Sequence, residues 1–163
     1  MKASLDKAGI EFLLREMYET LSELAMVLDN EHSALENSDI DKMHQAAVSK
    51  EQLSKKLEAL ETSRSKILKK ARFHLDKQSM YNFIDTIAGS TAESLHKIWE
   101  MVEELASTCD TQNKINGIVI DNSKRQTQAA LSILHGHAQT EGELYDAEGT
   151  NVPHSFNSSL ARA

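Results

Sequence analysis

Three acid–histidine pairs at a spacing of three residues are the strongest candidates for chemistry in this chain: Asp29-x-x-His32, Asp41-x-x-His44 and Glu93-x-x-His96. On a helix this spacing places carboxylate and imidazole on one face. Di-metal helical bundles use two inward Glu-x-x-His motifs together with two further glutamates. Here His96 follows the apolar Leu95 and His44 follows Met43. Each therefore lies beside the apolar seam rather than on it, and the histidines are expected on the solvent side. His135 and His137 flank Gly136, where a donor suits the last carbonyls of a helix. No metal site is expected.

Group transfer fares no better. Histidine phosphotransfer modules are similar to one another in a His-x-x-Lys-Gly run, but His44 is followed by Gln-Ala-Ala and His96 by Lys-Ile-Trp. There is no Gly-rich phosphate loop, no Gly-x-Ser-x-Gly and no cysteine pair. Cys109 occupies a seam position, which suits a small buried hydrophobe better than a nucleophile. No catalytic residue and no cofactor is expected.

Composition points the same way. Of 163 residues, 40% are hydrophobic but only 5% aromatic, and the net charge is −7. An acidic chain lacks the basic footprint of a nucleic-acid binder and is repelled by anionic membranes. The most apolar run, Ile118-Val119-Ile120, is far too short to cross a bilayer, so no stable membrane insertion is expected. Met1 to Gly9 lacks the apolar stretch of a signal peptide, and one cysteine cannot form an intrachain disulfide. The expected compartment is the cytoplasm.

The elements that would position any site are heptad helices. Ile10, Leu14, Met17, Leu21, Leu24 and Leu28 step by 4, 3, 4, 3, 4, a coiled-coil seam that predicts a helix from about Ser4 to Leu35. Glu31 takes the next seam position. Asn37-Ser38-Asp39 breaks the pattern, with Ser38 and Asp41 as an acidic capping box. A second helix follows from about Ile40 to Phe73, with a seam of Ile40, Met43, Ala47, Leu53, Leu57, Leu60, Arg64 and Ile67. Lys50 and Arg64 are its flaws; long basic stems can lie along a seam with the charge at its edge. Residues 78–88 predict a short closing helix.

After Gly89, Ser90 and Glu93 form a capping box for a third long helix. Its seam runs Leu95, Ile98, Val102, Leu105, Cys109, Gln112, Asn116, Val119, Ser123, Gln126, Ala130 and Ile133, and Gly136 ends it. At 1.5 Å per residue that helix would be about 65–70 Å long. The heptad frame continues through Asn116-Gly117, so the helix is expected to be continuous there. Its seam turns polar from Gln112 onward, which predicts either a wet layer against the first helix or a groove awaiting a partner helix. The expected fold is all-α: an elongated antiparallel bundle of three long helices and one short one over residues 1–136. A flexible tail over 137–163 is rich in Gly, Ser, Thr and Asn.

With these elements placed, the C-terminal residues carry a resemblance. Asn113-x-x-Asn116-Gly117, Gln126-x-x-x-Ala130-Leu131-x-x-Leu134 and Leu144-Tyr145-x-Ala147-x-Gly149 are similar in order and spacing to the signature of the FlgN family of flagellar export chaperones. The first 110 residues agree only as heptad helix, and the polar insert from Gly136 to Glu143 departs from the pattern. The resemblance implies a cytosolic chaperone that holds the C-terminal helical segment of hook–filament junction proteins and delivers them to the type III export gate. It implies client contact at Val119, Ile120, Ser123, Gln126, Ala130, Leu131 and Leu134. It also implies docking of Leu144, Tyr145 and Gly149 on the cytoplasmic domain of the gate's membrane protein. A homodimer is compatible with the seams, and a structural homo-oligomeric coiled coil without any client is the alternative.

Overall fold

Between Gly9 and Gly89 the chain has neither glycine nor proline, so long helices meet neither of the two strongest helix breakers there. The computed structural model describes residues 2–89 and 92–134, with side chains from residue 8 and Ala88 excepted. Four α-helices account for most of the described residues: α1 Lys2–Glu36, α2 Ile40–Lys70, α3 Lys77–Ala88 and α4 Ala92–Leu134. Helix α4 is continuous through Asn116-Gly117, as its unbroken heptad frame requires. The all-α class and the pattern of three long helices and one short follow the sequence expectation.

The chain divides into two units, Met1–Asn122 and Ser123–Ala163. In the first, α1 and α2 are joined by three residues and pack antiparallel. Helix α4 runs parallel to α1. Cys109 Sγ reaches the Leu21 carbonyl and Asn116 reaches that of Leu28, both at a sequence separation of 88. The core takes Ile10, Leu14, Met17, Leu21 and Leu28 from α1, Leu68 from α2, Met80, Phe83 and Ile84 from α3, and Leu95, Trp99, Val102 and Cys109 from α4. Phe73, just past α2, meets Phe83 edge-on with ring centroids 5.6 Å apart. In the second unit the described residues, 123–134, are helical and exposed.

Helices α1 and α2 end alike. Ser38 has φ 53° and Arg72 φ 65°. The following amide reaches back five residues in each case, Asp39 to the Ala34 carbonyl and Phe73 to that of Leu68. These are Schellman terminations with a serine and an arginine where glycine is usual.

Three local expectations need correction. Asp39, not Ser38, caps α2: its Oδ1 accepts from the Lys42 amide at 3.1 Å, while Ser38 is occupied in ending α1. Ala46 is buried and Ala47 exposed, and Ile40 is 78% exposed. Reading Ala46 and Lys50 as seam residues restores a 3–4 alternation through 43, 46, 50, 53, 57, 60, 64 and 67; Ile40 and Ala47 fall outside it. Finally, α2 stops at Lys70 rather than Phe73. Ser90 and Gly136, expected to bound α4, lie outside the described residues.

Candidate functional site

The polar residues that interrupt the three seams are brought together in one layer. Glu31 on α1 is buried, and both its oxygens accept from Lys50 Nζ of α2, at 2.9 and 3.0 Å. Asn116 on α4 is 2% exposed. Its Nδ2 donates at 2.9 Å to both Glu31 Oε2 and the Leu28 carbonyl. Its Oδ1 lies 2.9 Å from His32 Nδ1. Because the Asn116 amide nitrogen is fully committed as donor, Oδ1 accepts and His32 Nδ1 donates to it. One turn away, Gln112 Nε2 donates to Asp29 Oδ1 at 2.7 Å.

Of the two arrangements expected for the polar seam, Gln112 and Asn116 show the layer against α1. His32 stands at the edge of that layer, bonded to Asn116 with its side chain still 40% exposed. Such a layer fixes register: sliding α4 by one turn would part Asn116 from Glu31, the Leu28 carbonyl and His32.

His96 is drawn inward. Its Nε2 lies 3.1 Å from Asp85 Oδ1, and its ring packs edge-on against Tyr81. The Tyr81 hydroxyl donates to Glu103, which also pairs with Lys77 at 2.8 Å. Burial pushes the Tyr81 phenol upward from its ordinary value, and the Glu103 hydrogen bond holds the Lys77 ammonium above its own. Cys109 is buried, and its thiol is raised by that burial and by the nearby Asp29 charge. Among the described residues no group of three or more His, Cys, Asp or Glu could hold a metal ion, and no helix is long and apolar enough to cross a membrane.

A second arrangement escaped the sequence pattern. Arg64, expected at the seam's edge, is buried, and its guanidinium lies 5.4 Å from the Trp99 ring centroid. It also makes two 2.7 Å hydrogen bonds to Glu61. An arginine between apolar seam residues and a tryptophan one position off the seam are the traces that could have signalled this pair.

The motif residues and those implied in partner contact divide between the two units. In the first, Asn113 and Gly117 are exposed and Asn116 is buried in the polar layer. Val119 is half-buried there, and Ile120 is exposed, as are Ile115 and Ile118. In the second, Ser123, Gln126, Ala130, Leu131 and Leu134 are helical and exposed, with Ile133 at 73% and Leu134 at 81%. Leu144, Tyr145 and Gly149 lie outside the described residues.

Fold and layer together define a class: a heptad-seamed helical bundle held in register by a buried polar layer, with an apolar stretch of its last helix exposed. The family model described as FlgN protein matches residues 8–153, and the chain belongs to the FlgN family. Its fold is similar to that of a solved Pseudomonas aeruginosa protein described as a flagella synthesis protein FlgN. The TM-score is 0.64 and the identity 25%, over 77% of this chain and 95% of that one. No curated protein matches the chain. The family supports a flagellar, export-related role.

Proposed function

We propose that this chain is a cytosolic secretion chaperone that binds the C-terminal helical segment of flagellar hook–filament junction proteins. It keeps them from assembling early and delivers them to the flagellar type III export gate. The observation that carries the reading is the exposure of Ile133 and Leu134 on a helical stretch within the family match. Large aliphatic side chains so exposed suit an amphipathic client helix. Client contact falls on Val119, Ile120, Ser123, Gln126, Ala130, Leu131 and Leu134. Leu144, Tyr145 and Gly149 serve the gate's cytoplasmic domain, with Tyr145 as the aromatic anchor. Residues 1–136 act as the bundle and 137–163 as the docking tail.

Size-exclusion chromatography with light scattering, with and without a junction-protein C-terminal peptide, tests this. A stoichiometric complex is expected. A fixed homo-oligomer indifferent to the peptide would instead establish a structural coiled coil without a client.

A further inference from the structure

Where α2 ends, Lys66, Lys69, Lys70 and Arg72 are all exposed, and none of the four side chains has an ion pair among the described residues. Every other lysine and arginine of the first unit whose side chain is described is paired with a carboxylate, from Arg15 with Glu11 to Lys114 with Asp110. The nearest carboxylates in sequence are engaged elsewhere. From Thr62 to Leu75 the chain has no Asp or Glu. Glu61, just before that run, is held by Arg64 through two 2.7 Å hydrogen bonds. Asp76, just after it, caps α3 by accepting from the Ser79 amide and hydroxyl at 2.8 and 2.9 Å.

Folding accounts for only part of this cluster. Lys69 and Lys70 stand in the last turn of α2, where positive charge suits the terminal carbonyls. Lys66 lies one turn earlier, at the i,i+4 spacing from Lys70 at which like charges destabilise a helix. Arg72 lies past the helix end at φ 65°, a conformation that strains any side chain and that glycine adopts freely.

We propose that this patch docks an acidic segment of a partner protein, whose carboxylates meet Lys66, Lys69, Lys70 and Arg72. A short peptide suits the size of the patch, which spans about 6 Å of helix and the turn beyond it. A nucleic-acid duplex or an anionic lipid surface runs on past those limits. It would meet Glu58, Glu61 and Asp76, which flank the patch in sequence, on a chain whose net charge is −7. None of the four residues belongs to the stretches assigned to the client or the gate, so the patch stands or falls separately from those assignments.

The probe is a capped octapeptide of alternating glutamate and glycine, with its glutamine counterpart as control. Titrated into the full chain at low salt, the glutamate peptide is expected to move the backbone amide resonances from Lys66 to Phe73 saturably. The glutamine peptide should leave them in place. Lys66→Gln combined with Lys70→Gln should weaken binding at least several-fold. Lys55→Gln combined with Lys114→Gln changes the net charge equally but removes cations that are already paired, and it should leave binding unchanged. Arg72→Gly should weaken binding several-fold while raising the melting temperature, which separates loss of a docking contact from loss of the fold. No saturable shift, or equal losses in the two double variants, overturns the proposal. Tighter binding of duplex DNA or of phosphatidylserine vesicles than of the peptide at these residues overturns it in favour of an extended polyanion.

Discussion

Asn116 on α4 and Glu31 on α1 meet through a 2.9 Å hydrogen bond in the interior, and Lys50 of α2 closes on the same carboxylate. Three helices are thus registered by residues that each look like a defect in their own seam. Removing one member is expected to cost more than removing all. Asn116→Ala should destabilise by about 1–3 kcal/mol, because the Leu28 carbonyl and His32 lose a partner. Lys50→Met, which leaves the Glu31 charge buried, should cost about 3–5 kcal/mol. The triple variant Glu31→Leu, Lys50→Met, Asn116→Leu should recover most of that loss. Urea unfolding checks the series, and strictly additive losses would show that the three residues do not act as a unit.

Backbone conformation and residue type are mismatched in opposite senses at Gly117 and Arg72. Gly117 is mid-helix with nothing within 4 Å of where a Cβ would sit, so Gly117→Ala should stabilise by about 1 kcal/mol. Arg72 sits in the left-handed region at φ 65°, where a side chain costs roughly 1–2 kcal/mol, so Arg72→Gly should also stabilise, by less than that because glycine loses more entropy. Thermal denaturation reads both. Since no contact among the described residues requires Gly117, a loss of client binding in the stabilised Gly117→Ala protein would place a partner's backbone close to that position.

The sequence carried the fold where a single period ran unbroken. The α1 seam from Ile10 to Leu28 and the continuity of α4 past Gly117 both follow from 3–4 spacing. Helix ends were less legible, because Ser38 and Arg72 adopt the left-handed conformation without the glycine that would mark it. The polar layer was hidden for another reason. Glu31, Lys50 and Asn116 lie on three different helices, and only the register between helices shows that their defects coincide. Arg64 was legible as a seam flaw, but its pairing with Trp99 depends on the same unseen register.

The Cys109 thiol is held above its ordinary pKa, first by burial and then by the Asp29 charge. Below the ordinary thiol value both folded and unfolded chains hold the proton, and the full contribution to stability is present. As pH rises through the unfolded value toward the raised folded one, the unfolded chain ionises first and stability is lost. Urea midpoints should therefore fall between about pH 8 and 10, and the thiol-specific part of that fall should vanish in Cys109→Ala. The native thiol should also react with an aromatic disulfide reagent only slowly, at a rate that urea accelerates; prompt reaction in native buffer would contradict its burial.

Ile133 and Leu134 are the most exposed large aliphatic residues described near the end of α4, and they separate client binding from folding. A lysine near a helix C-terminus interacts favourably with the terminal carbonyls. Ile133→Lys or Leu134→Lys should therefore leave the melting temperature within a degree or two of the unaltered chain. Burying one such side chain against a client is worth about 1.5–3 kcal/mol, so each substitution should weaken binding of a junction-protein C-terminal peptide by roughly tenfold to a hundredfold. Calorimetric titration measures the loss, and unchanged affinity in both variants would move the client off this stretch. The same titration against the gate's cytoplasmic domain gives the complementary result. Tyr145→Ala should lose gate binding and keep the client, whereas Leu134→Lys should do the reverse. A variant that loses both would mean that client and gate share one surface.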